Sequence, residues 1–213
     1  MTESGGIVVM GAGAVGGYVG GMLSALGEDV ILIDPWPKHI EAIRADGLVI
    51  ETPEGTTKAQ PHALHICDVH EVARRPSKFA FLCVKLYDTP WAATLLNDVV
   101  PTAPIVTMQN ALVEEDVARI VGHSRTLGAV AGTLDVALIA PGRVRRARRR
   151  GATKPVFKVG ELDGRTTARA ESVANLLGKV DTAAVTSHLI HDRWEKLVAN
   201  TMTTGLSVGV VNS

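Results

Sequence analysis

Residues 7–10 form a short apolar run, Ile-Val-Val-Met, that leads into Gly11-Ala12-Gly13-Ala14-Val15-Gly16. A second apolar run over 30–33 ends on Asp34. A strand-length run, a glycine turn, a helix-length stretch and a second run closed by an acid leave few folds open. That order predicts a strand–helix–strand unit. Each glycine has its own job in it. Gly11 permits the turn out of the first strand, Gly13 leaves bare backbone for a ligand to approach, and Gly16 lets the helix lie close on the strand. Free N–H groups and the dipole at the helix start favour negative charge. The pattern therefore points to a dinucleotide whose pyrophosphate rests on Gly11, Ala12, Gly13, Ala14, Val15 and Gly16, with Asp34 accepting hydrogen bonds from a ribose hydroxyl.

The rival reading of this stretch is a membrane segment. Residues 4–27 carry no charge, and Gly16/Gly20 and Gly17/Gly21 have the spacing of dimerising membrane helices. Nine of those 24 residues are Gly, however, and Glu3 rather than a basic residue precedes them. A secretory leader needs a basic start and a continuous apolar core. Neither membrane reading fits. Lys plus Arg equals Asp plus Glu, 22 each, so no overall field draws nucleic acid or an anionic membrane. At 213 residues, 46% apolar and 21% charged, the chain reads as one sizeable globular domain and part of another. Cys67 and Cys83 make no disulfide framework, and the expected location is cytoplasmic.

Further along, a short helix is expected over 38–45, a strand over 48–50, a turn at Pro53-Glu54-Gly55 and a returning strand over 57–66. Residues 79–84 are continuously apolar, as suits a parallel strand buried on both faces, and lead to Lys85. A helix follows over 89–98. The strand 105–108 leads to Gln109-Asn110, and a helix fits 113–121. Strands are expected again at 127–131, 136–139 and 156–160, a helix at 165–177 and a strand at 180–185. This alternation predicts an α/β fold, a Rossmann-type, doubly wound, mostly parallel sheet over 1–187. In such sheets ligands bind beyond the C-terminal strand ends, where Asp34, Lys85 and Asn110 fall. Residues 143–150 hold six Arg in eight, without interleaved aromatics, and read as a solvated hairpin or crossover. His62, His65, Cys67 and His70 match no zinc spacing, so no metal is expected.

A last helix starts near 188 and opens a helical C-terminal domain over 188–213. Its Lys196 and Asn200, four apart, share one face, which Thr203 and Thr204 continue, while Leu197 and Val198 anchor the helix elsewhere. An ammonium beside an amide suits a ketone: the ammonium donates a proton to the developing alkoxide and the amide holds an oxygen.

The chain resembles the ketopantoate reductases (2-dehydropantoate 2-reductases) of the 6-phosphogluconate dehydrogenase-like superfamily. The resemblance is carried by Gly-Ala-Gly-Ala-Val-Gly, by residues 39–47, by Val84-Lys85, by Gln109-Asn110 and by Trp194-x-Lys196-Leu197-x-x-Asn200. It implies an NAD(P)H-dependent oxidoreductase of pantothenate biosynthesis that reduces a small 2-oxo acid, with Lys196 as general acid and Asn200 binding substrate. Lys85 and Asn110 would lie at the nicotinamide end. The alternative is a truncated, non-catalytic relative that binds or senses the dinucleotide. The chain departs from the family's pattern in three ways: it is shorter, Thr204 stands for an expected Asn, and Ala111 replaces the Gly of Gln-Asn-Gly. Family habit favours NADPH, whereas Asp34 would repel a 2′-phosphate and favours NADH. Lys38 and His39 are near enough to soften that preference. A homodimer is expected, covering the apolar face of an incomplete second domain.

Overall fold

The computed structural model describes residues 5–151 and 153–210, and of 203–210 the backbone alone. In chain order the elements are β1 (Gly6–Met10), α1 (Ala14–Ala25), β2 (Val30–Asp34), α2 (Pro37–Asp46), β3 (Leu48–Thr52), β4 (Gly55–Ala59) and β5 (His62–His65). Then come β6 (Ser77–Leu82), α3 (Thr89–Val99), β7 (Ile105–Thr107), α4 (Glu114–Val121), β8 (Thr126–Ala131), β9 (Val136–Ala140) and β10 (Arg143–Arg146). The last are β11 (Phe157–Glu161), α5 (Ala168–Gly178), β12 (Ala183–Val185) and α6 (Leu189–Val210).

Eight strands form the main sheet in the order β12-β11-β8-β7-β6-β1-β2-β5, parallel throughout except where β11 runs against β8. The continuous apolar runs are explained by two cores, one on each face. Ile7 and Val9 of β1 belong to one core, and Val8 and Met10 to the other. A strand buried on both sides cannot alternate apolar with polar. The chain winds from β1 through β2 to β5, then returns to place β6 on the other side of β1. That reversal opens a crevice at the C-terminal ends of β1 and β6, the place where doubly wound sheets bind ligands.

A second, four-stranded sheet, β4-β3-β10-β9, covers α1. This layer explains the paired glycines. A Cβ at Gly20 would lie 2.5 Å from Leu32 of the main sheet, and one at Gly21 2.7 Å from Leu48 of the small sheet. The four-residue spacing lets one helix lie close between two sheets, and so the helix is apolar nearly all round. Among the described residues no helix is long and apolar enough to cross a membrane.

Two expectations for this region need correction. The returning strand over 57–66 is split into β4 in the small sheet and β5 in the main one. Pro61 sits at the break, where it can donate no ladder hydrogen bond. The arginine run is not a uniformly solvated segment either. Arg143–Arg146 form β10, in which Arg143 and Arg145 are exposed and ion-pair with Glu51. Arg146 points inward, pairs with Asp181 and donates to the Tyr18 hydroxyl at 2.8 Å. Both members of that pair have side chains only 1% exposed.

Candidate active site

The crevice beyond β1 and β6 is a cleft of about 440 Å³. Gly11, Gly13, Ala14, Val15, Asp34, Lys85 and Asn110 all line it, so the three strand-end side chains and the exposed part of the glycine turn face one space. Ala12 and Gly16 are buried beneath it. Gly11 has φ +95°, a conformation that favours glycine. A Cβ at Gly16 would collide with the Gly11 carbonyl and crowd Cys83. At Gly13, by contrast, an added Cβ would meet nothing within 4 Å. The N–H groups of the first turn of α1 have no intrahelical partner, and no N-cap side chain takes its place. Bare backbone, unpaired donors and open space fit the pyrophosphate of a dinucleotide.

Asp34 has a second task that the sequence did not reveal. Its Oδ2 accepts from the Ala12 amide at 2.9 Å and its Oδ1 from the Trp36 amide at 2.9 Å. The carboxylate therefore braces the glycine turn, and each oxygen keeps a lone pair for a ribose hydroxyl. His39 braces the turn from the other side. The Gly142 amide donates to its Nδ1 at 2.9 Å, which leaves the ring hydrogen on Nε2, 2.9 Å from the Ala12 carbonyl. His39 is fully buried, so it cannot soften a charge on a 2′-phosphate as its place in the sequence suggested. Lys38 is exposed.

Lys85 and Asn110 enter the cleft from the loops after β6 and β7. Ala111, next to Asn110, has φ +73°. The Gly-to-Ala departure thus falls where glycine is favoured, and it costs about 1 kcal/mol or more in backbone strain. Cys83 also lines the cleft, and burial pushes its thiol up to about 12, which makes it a poor nucleophile.

Lys196 and Asn200 are not in this cleft. They line a neighbouring cavity of about 240 Å³ with Val130, Gly132, Thr133 and Lys158. Because β8 runs parallel to β7, its end at Ala131 lies at the same end of the sheet as the cleft. Burial, followed by the positive charge of Arg193, lowers the Lys196 ammonium to about 8. The helix is not anchored by Val198, which is 54% exposed. It is held by Leu189, by Asp192 and by Arg193, whose Nη1 donates to the Gln109 carbonyl at 2.6 Å. The side chains of Thr203 and Thr204 lie outside the described residues.

The histidine group at 62–70 is dispersed. His65 Nε2 lies 2.9 Å from the Pro35 carbonyl, and His62 faces Glu71. Among the described residues no three His, Cys, Asp or Glu side chains converge as a metal site.

Comparison with known proteins gives this geometry a lineage. The family model described as ketopantoate reductase PanE/ApbA matches residues 7–163. The chain belongs to the ketopantoate reductase family. A curated relative, the 2-dehydropantoate 2-reductase of Halobacterium salinarum, is 32% identical over 203 residues, 91% of this chain and 62% of that protein. The corresponding enzyme of Pyrococcus horikoshii is 30% identical over 195 residues, 91% of this chain and 60% of that one. Among solved structures, the 2-dehydropantoate 2-reductase of Geobacter metallireducens has a TM-score of 0.79 at 28% identity, covering 91% of this chain and 62% of its own. D-mandelate dehydrogenase, solved with NADH and anilino(oxo)acetate, shares the fold, with a TM-score of 0.75 at 21% identity over 89% of this chain and 59% of its own. The chain thus spans about six-tenths of the length of the curated family members it matches.

Proposed function

We propose that this chain supplies the dinucleotide site and the proton donor of an NAD(P)H-dependent reductase that converts a 2-oxo acid to a 2-hydroxy acid. The observation that carries the reading is the uncapped start of α1, opening into a cleft that Asp34, Lys85 and Asn110 share. The names of the family's curated members support the reaction class. The residues divide the work as follows. Amides of the first turn of α1 hold the pyrophosphate, and Asp34 holds a ribose hydroxyl. Lys85 and Asn110 position the nicotinamide end and the substrate. When bound, the reduced nicotinamide supplies the hydride for the ketone carbon. Lys196 gives its proton to the ketone oxygen as negative charge develops there, and Asn200 orients the substrate. A lysine lowered to about 8 suits that task, since it is still charged at neutral pH yet releases its proton readily.

The test is loss of nicotinamide absorbance with ketopantoate and a panel of other 2-oxo acids. Turnover with one of them is expected. Bound cofactor without turnover on any of them, in a protein as long as the curated relatives, would overturn the reading.

Cofactor choice follows from Asp34. Its carboxylate faces the cleft and His39 is withdrawn from it. NADH is therefore expected to bind about tenfold more tightly than NADPH, a difference of about 1.4 kcal/mol. Titration of each by fluorescence checks this, and tighter binding of NADPH contradicts it.

A further inference from the structure

We propose that Arg193 is a positioning residue for this reaction: it ties the helix carrying Lys196 to the strand end carrying Gln109 and Asn110. The two neighbouring cavities are thereby held in one register. The inference rests on the reading of Lys196 as proton donor.

Arg193 is 1% exposed. Its Nη1 donates to the Gln109 carbonyl at 2.6 Å, and its Nη2 donates to the Thr107 carbonyl at 3.1 Å and the Thr107 hydroxyl at 3.0 Å. Nη2 also pairs with Glu114 at 2.5 Å. One planar guanidinium thus clasps the last residue of β7, the residue just before Asn110 and the first residue of α4. A lysine, with a single point charge, could not span those acceptors. The clasped turn needs holding. Ala111 is in a left-handed conformation, which persists only where its surroundings fix it.

On the helix side, Lys196 lies three residues beyond Arg193, on the adjoining turn. Two other anchors fix α6 to its own end of the sheet. Leu189 packs on Gly128 and Gly160, and Asp192 binds Lys158 at 2.5 Å and Thr186 at 2.6 Å. Both hold the helix against β8, β11 and the β12–α6 turn. Arg193 carries the link across to β7 and the cofactor cleft.

Among the described residues, the charged groups around Lys196 are Lys158 from β11, Lys154 from the loop before it, and Asp192, Arg193 and Glu195 from α6. Lys158 is paired with both acids. Arg193 adds positive charge beside Lys196, lowering its affinity for a proton.

The test compares Arg193→Met combined with Glu114→Gln, which leaves neither charge stranded, with Arg193→Lys. Two quantities are read. One is kcat and the KM for NADH across pH in the active protein. The other is the pH midpoint of Lys196 acylation by acetic anhydride, followed by mass spectrometry without cofactor. In the double variant kcat is expected to fall about tenfold or more while the KM for NADH holds. The acylation midpoint should move up from about 8. Arg193→Lys should restore the midpoint and not kcat. Wild-type kcat and midpoint in the double variant would overturn the proposal. So would a lowered kcat with an unmoved midpoint that lysine fully rescues, which marks packing alone. Turnover that survives Lys196→Met would instead overturn the reading beneath it.

Discussion

Lys196→Met is expected to lower the rate of ketone reduction by roughly 10²–10⁴, the usual contribution of a positioned general acid. Cofactor affinity should hardly change, because Lys196 lines the smaller cavity and not the dinucleotide cleft. The wild-type rate should be flat below about pH 8 and fall above it, since the donor must be charged and its ammonium is lowered to about 8. Stability should respond in the opposite sense. The folded-state value lies below the ordinary 10.5, so the unfolded chain binds more protons between the two. A charged Lys196 therefore weakens the fold at neutral pH, and the penalty fades as pH rises from about 8 towards 10.5. Methionine keeps the bulk and removes the charge. The variant should melt at a higher temperature than wild type at pH 7, with the difference shrinking above pH 8. Paired assays of turnover and thermal melting check both halves. A variant that keeps its turnover would remove Lys196 from the chemistry.

Arg146→Ala should destabilise the fold by roughly 3–5 kcal/mol, because removing one member of a buried pair strands the other. Arg146 on β10 joins three elements: its own strand, Asp181 before β12, and Tyr18 on α1. Burial tends to raise the Asp181 carboxyl. The amides of Gly151 and Thr182 and the Arg146 guanidinium outweigh it, and the net shift is downward. The stability from this group is therefore present above about pH 4 and lost as the pH falls through the depressed value. For a chain of this length the loss in Arg146→Ala corresponds to about 10 °C in melting temperature. Urea unfolding at pH 7 measures it, and a loss under about 1 kcal/mol would show that the pair carries little. The glycine turn should feel the change as well, since Tyr18 belongs to the helix whose start forms the cradle.

The sequence exposed what depends on short-range order. The glycine turn, the apolar runs on either side of α1 and the polar residues at three strand ends are local patterns, and the main sheet follows from them. The small sheet was hidden because its central pairing joins Val49, Ile50 and Glu51 to Arg143, Val144 and Arg145, which are remote in the chain. Arg146 was hidden by its neighbours. In β10 exposed and buried positions alternate, but an arginine occupies a buried one, so the period-two signal disappears into a charge run. The two-cavity arrangement was also illegible. Helical spacing put Lys196 and Asn200 on one face, but it could not say which strand end that face meets. Arg193 stands directly before the motif that holds Lys196. Its acceptors, on Thr107 and Gln109, lie far back in the sequence, and no local rule pairs them.

A calorimetric titration of NADH into the wild-type chain and into Gly13→Asp puts the cradle at the start of α1 to the test. An aspartate at position 13 meets no protein atom within 4 Å of its Cβ and stands at the N-cap of α1, where it is a favoured residue, so the variant should fold and melt at or slightly above the wild-type temperature. Its carboxylate would occupy the space meant for the pyrophosphate and repel it. One NADH should bind per wild-type chain, and the affinity should be lower by about a hundredfold or more in the variant. Equal binding by the two, or no binding by the wild type, would contradict that role for the cradle.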